Sequence, residues 1–167
     1  MGADKIEPPP ASWVEHLHPS GAFSFRTPPS WALEPVPGRK DLLQASGPEG
    51  LIRFLFRRGD SGFDSLHASC MAERLTGPME ADPRVKYEYD FRGAPFAGRA
   101  SIDSAFLVRY DEPQRGAVDW RQRNLTIVGA GQSLCVIVHS PLNLWKKSKD
   151  VRLTLDRVVA SVAFRSQ

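Results

Sequence analysis

Between residues 84 and 92, Arg84, Lys86, Glu88, Asp90 and Arg92 alternate with Val85, Tyr87, Tyr89 and Phe91. Side chains on a strand point to opposite faces with period two, so this segment predicts a strand with one dry face and one wet face. Such a strand belongs in an antiparallel sheet with helices packed on one side.

The rest of the chain reads around that strand. Residues 1–20 predict a flexible arm, with Pro8-Pro9-Pro10 in extended polyproline geometry. Within it, Trp13, Val14 and Leu17 can dock as a short helical turn capped by Ser12. Short strands are expected at Phe23 and Phe25, over residues 31–34 and over 41–45, each ended by prolines or glycines. Residues 51–58 predict a strand with Ile52, Phe54 and Phe56 on one face. The period then changes. Phe63, Leu66, Cys70, Met71 and Leu75 fall on a helical stripe, with Asp60 or Ser61 as cap and Gly77-Pro78 as stop. Strands are expected over 99–110, 117–128 and 132–139, the first two joined by a hairpin at 113–116. The last of these is apolar on both faces, so it reads as a central strand covered on both sides. Val151, Leu155, Val158, Val159 and Val162 predict an amphipathic helix over 148–160, with 161–165 closing as a small strand or helix end. The sum is an α+β chain: four or five antiparallel strands in a meander between two helices, a twisted sheet with helices packed against it.

A chain of 167 residues is long enough for one domain with a real core, here set at 21–167 behind the arm. No apolar run reaches the roughly 20 residues of a membrane helix, and the proline-rich start lacks the apolar stretch of a signal peptide. Cys70 and Cys135 stand in no metal spacing, which argues against a zinc- or disulfide-built fold and for a reduced cytosolic setting. Whether the two meet is open. Charge is uneven. Residues 142–167 hold six basic side chains and two acidic ones, hence +4, against +3 for the whole chain. A basic C-terminal surface suits an acidic partner; a solvated helix face is the plainer account of the same charges.

No catalytic motif stands out. Gly129-Ala130-Gly131 reads as a hairpin turn, since a strand and not a helix follows it. Cys70 and His67 sit three apart on the expected helix, but Cys70 lies in its apolar stripe and reads as a buried structural thiol. His16 and His18 lack the carboxylates of a metal site, and no cofactor or metal is expected. A pocket between sheet and helix, drawing on His139, Asp103 or Tyr110, is the alternative that would make the chain a small-molecule binder or an enzyme. Two segments interleave aromatic and basic residues: Trp120, Arg121 and Arg123, then Trp145, Lys146, Lys147 and Lys149. Tryptophan and arginine are favoured interface anchors, so these seven are the candidate partner-binding residues. Nucleic acid is the lesser reading, because the net charge is low and no binding motif accompanies the patch.

Phe23-Ser24-Phe25 followed by Pro29-Ser30-Trp31, the helix after the strand at 51–58, and the ending Ser161-Val162-Ala163-Phe164 resemble the PsbP-like superfamily over residues 22–165. That superfamily includes Mog-type Ran-binding import factors and bacterial chaperones of secretion effectors. The resemblance implies a non-enzymatic protein-binding module, a chaperone or adaptor, with a homodimer among its assemblies. The photosystem role implies lumenal targeting, of which the sequence shows no sign.

Overall fold

The computed structural model describes residues 6–58, 63–72, 84–112, 114, 116–129 and 131–165. The expected caps at Asp60 or Ser61, the stop at Gly77-Pro78 and the turn residue Ala130 lie outside these. The chain folds as an α+β protein in which, among the described residues, ten antiparallel strands form two sheets. Strands β3 (Ala32–Val36), β4 (Arg39–Gly47), β5 (Gly50–Arg58), β6 (Arg84–Phe96), β7 (Arg99–Glu112), β8 (Gly116–Gly129) and β9 (Gln132–Pro141) build the larger sheet, in the order β3-β4-β5-β9-β8-β7-β6. Strands β1 (Val14–Leu17), β2 (Phe23–Thr27) and β10 (Ala163–Phe164) build the smaller one, with β2 in the centre. The helices are α1 (Phe63–Ala72), α2 (Leu142–Lys147) and α3 (Lys149–Ala160).

The larger sheet is covered on both faces, not on one. On one face, Ile52, Phe54, Phe56, Leu125, Leu134 and Val136 meet Phe23 and Phe25 of β2 and Val151, Leu155, Val158 and Val159 of α3. Phe25 stacks on Phe54 with ring centroids 4.2 Å apart. On the other face, Leu42, Leu55, Cys135 and Ile137 lie against Cys70 of α1. Cys70 and Cys135 share this apolar cluster as buried thiols, with no disulfide between them. The apolar content of β9 on both faces is thereby explained: every residue from Gln132 to Ser140 is buried.

Four expectations are corrected. The sheet is no simple meander of four or five strands, because β9 returns to lie beside β5 and joins the β4–β5 hairpin to the β6–β9 run. Val14–Leu17 is a strand paired with β2, not a helical turn, since its backbone groups find partners on Phe23–Thr27. Residues 142–147 add a helix of their own. The strand at 84–92 has no dry face. The register slips between Tyr87 and Tyr89, leaving Glu88 as an extra residue. A bulge of this kind turns the following side chains to the opposite face. Tyr87 therefore sits over Phe106 on the α1 side, whereas Tyr89 reaches Asp103 on the α3 side. Tyr87 and Phe91 stay 62% and 61% exposed, so neither face of β6 is closed.

Candidate partner-binding surface

The surface is built where β9 ends. Pro141 closes the strand and opens α2, whose last turn carries Lys146 and Lys147. Ser148 then caps α3, its hydroxyl accepting a hydrogen bond from the Val151 amide at 3.2 Å. Two short helices meeting at one serine form an elbow that holds Lys146, Lys147 and Lys149 in solvent, all three exposed. Among the described residues no carboxylate pairs with any of them. Arg152 braces the elbow from α3, donating through Nη1 to the carbonyls of Trp145 at 2.6 Å and Lys146 at 3.1 Å.

The seven candidate residues divide into three groups. Trp120 lies on the α1 side of the sheet, packed on Phe106 and Val108. Its ring and Lys146 line one groove of about 480 Å³, together with Val118, Pro141, Leu142 and Asn143. Arg121 points to the opposite face, because adjacent strand residues alternate. It donates from Nε to Glu88 at 3.1 Å and lies 4.1 Å over the Trp145 ring. Arg123 shares that face but is spent on structure. It forms a two-pronged pair with Asp103 at 3.0 and 2.9 Å and stands 3.8 Å from Asp156. Thus Trp120 meets Lys146, Arg121 meets Trp145, and Arg123 joins neither.

The Arg123 network is a closed electrostatic unit. Burial works against the Arg123 charge, yet the Asp103 hydrogen bonds and charge outweigh it and hold its pKa above the ordinary range. Burial raises the Asp156 carboxyl, and Arg123 only partly offsets this. Burial also raises Tyr89, whose hydroxyl stands 3.4 Å from Asp103 Oδ1. These shifts come from packing α3 over a charged stretch of sheet.

Other candidates resolve as follows. His67 on α1 bonds through Nδ1 to Thr126 Oγ1 at 2.9 Å, and Thr126 stands 3.7 Å from Cys135 Sγ, so α1 is fixed to the sheet by a buried polar chain. His139 and Asp103 do not converge on one pocket. Val138 packs in the α3-side core, which puts its neighbour His139 on the α1 side, whereas Asp103 pairs with Arg123 on the α3 side. The Tyr110 side chain lies outside the described residues. Among the described residues no three His, Cys, Asp or Glu side chains gather as metal ligands.

No protein-family model matches this sequence, and no curated protein matches it. Solved structures do. A cyanobacterial PsbP from Synechocystis sp. PCC 6803 superposes with a TM-score of 0.67 at 11% identity, covering 99% of this chain and 97% of that one. This chain has the PsbP/Mog1p-like fold. The Saccharomyces cerevisiae Ran-binding protein Mog1p is similar at a TM-score of 0.52 and 13% identity, covering 90% and 94% of the two chains. A Bacteroides thetaiotaomicron protein matches at 0.56 and 10% identity, over 92% of this chain and 48% of its own. At such identities the PsbP/Mog1p likeness speaks for the fold alone.

Proposed function

We propose that this PsbP/Mog1p-like chain is a cytosolic, non-enzymatic protein-binding module, a chaperone or adaptor, that holds an acidic partner on the α2–α3 elbow. The observation that carries the reading is that Lys146 lines the Trp120 groove while Lys147 and Lys149 stand exposed on the same elbow. The groove supplies contact area, and the exposed cations of the elbow give steering and register. The Ran-binding character of Mog1p, which shares the fold, is consistent with a binding role. The nucleic-acid reading loses support from the same geometry. Arg121 and Arg123 are engaged by Glu88 and Asp103, so neither guanidinium is left over for a phosphate. The pair of buried free thiols, Cys70 and Cys135, suits a reducing compartment such as the cytosol.

Replacing Lys146, Lys147 and Lys149 together by Glu tests the reading. Partner recovery should fall at least tenfold, a difference of about 1.4 kcal/mol, and recovery by the unaltered chain should weaken as salt is raised. The melting temperature should stay within a few degrees, since exposed charges lend little stability. A collapse of stability would make the lysines structural, and unchanged recovery would move the partner elsewhere.

A further inference from the structure

On α3, Lys149, Arg152, Leu153, Asp156 and Arg157 recur at helical spacing and form a stripe beside the buried one. They make one wall of a groove of about 660 Å³; the other wall is the N-terminal segment, through Ile6 and Glu7. Glu7 Oε2 accepts a hydrogen bond from Arg157 Nη2 at 2.7 Å. The chain thus seats its own short acidic segment on a basic helix face. Three cations against the single Asp156 leave that wall at +2, and Asp156 leans on Arg123 behind the helix.

We propose that this α3 groove is a docking site for an extended partner segment carrying an apolar side chain followed by a carboxylate, and that Ile6–Glu7 is its internal occupant. The inference rests on the protein-binding reading above and assigns the partner chemistry. Three observations support it. Ile6 is 45% exposed and the Glu7 side chain 77% exposed, so the arm touches the groove without being buried in it. Arg157 Nε is covered yet bonds no acceptor among the described residues, so Glu7 engages the guanidinium through one nitrogen only. A carboxylate arriving in the plane of the fork would take both nitrogens and bind more strongly. Finally, Pro8-Pro9-Pro10 keep the chain beyond Glu7 extended, which limits the entropy the segment loses when it lies along a helix. The arm then competes with the partner, and the partner must displace it.

The test uses the full chain and a fluorescein-labelled peptide of residues 6–12, Ile-Glu-Pro-Pro-Pro-Ala-Ser, read by anisotropy. An exposed ion pair holds its partner weakly, so removing the competitor by Glu7→Lys should tighten peptide binding by roughly two- to sixfold. Adding Arg157→Gln to that variant should abolish the gain, and a peptide with Gln in place of Glu should bind neither form. Should Arg157→Gln impair folding, Lys149→Gln on the exposed first turn should still weaken binding. Equal affinity in the unaltered chain and Glu7→Lys, binding by neither, or full binding of the Gln peptide would overturn the proposal. So would a gain accompanied by dimers in sedimentation, which would make the occupant the arm of a second copy. The elbow reading fails separately, as unchanged partner recovery when only Lys146 and Lys147, which lie outside this groove, are replaced by Glu.

Discussion

Strands β9 and β6 belong to one sheet and live in different media. From Gln132 to Ser140 every side chain of β9 is buried; of the described side chains of β6, none is. The neighbours differ, and so does the regularity of pairing. Strand β9 lies between β5 and β8 in unbroken register on both sides. Strand β6 is an edge, bonded to β7 alone and interrupted near Glu88 and near Gly93. Bulges and charges on an edge are how sheets discourage pairing with other chains. The middle of the sheet is thus committed to the core, whereas the β6 edge leaves Tyr87 and Phe91 exposed.

This contrast can be broken by substitution. Phe54→Ala, which removes a fully buried ring stacked on Phe25, should cost about 3–5 kcal/mol in denaturant unfolding. A loss below about 1 kcal/mol would mean that the buried half tolerates cavities and is no stability centre. Gly47→Ala should come next. A Cβ there would run into the Trp31 ring, which is held by its Nε1–H bond to Glu49 at 2.9 Å. Overpacking against a fixed indole should cost about 1–3 kcal/mol, visible as a lower denaturant midpoint. A neutral result would show that Trp31 swings clear.

A pH titration sharpens the comparison further. His18 stacks on Phe23 at 4.5 Å, and burial lowers its pKa from 6.5 to about 4. The unfolded chain therefore takes up a proton before the folded one does. The stability that neutral His18 contributes is whole above pH 6.5, declines as pH falls below it, and is lost through about pH 4. His18→Gln should flatten that limb of the stability profile; an unchanged slope would assign it to other groups. The smallest effect should come from Phe91→Ala on β6, within about 0.5 kcal/mol of the unaltered chain. A cost near that of Phe54→Ala would mean the edge is packed after all.

Much of this was legible in the residue pattern, for a physical reason in each case. The apolar run of β9 identified a strand covered twice, because only a layer on each face can take both sets of side chains. The stripe Val151, Leu155, Val158 and Val159 identified α3. Strand β6 was misread because alternation describes a strand that pairs regularly; the bulge at Glu88 arises from its register with β7, which no local window contains. Helix α2 carries only six residues, too few for a period to emerge. The candidate surface was legible in its lysines and not in its unity. Trp120 and Arg121 are neighbours in sequence, and strand parity alone sends them to opposite faces. That signal was present in the alternation of Trp120, Gln122 and Asn124 against Arg121 and Arg123. The contact between Glu7 and Arg157 joins residues 150 positions apart and leaves no trace in either segment.

The pairing of β5 with β9 also governs how the molecule can be made. Leu55 lies opposite Cys135, so 80 residues must emerge before that edge of β5 is satisfied. Until then the β4–β5 hairpin presents Ile52, Phe54 and Leu55 to water beside an unpaired strand edge. Closure over so long a loop is slow and leaves the intermediate prone to association. A nascent chain of this protein is thus most vulnerable during the synthesis of β6 to β8, and its safety rests on the last long strand arriving.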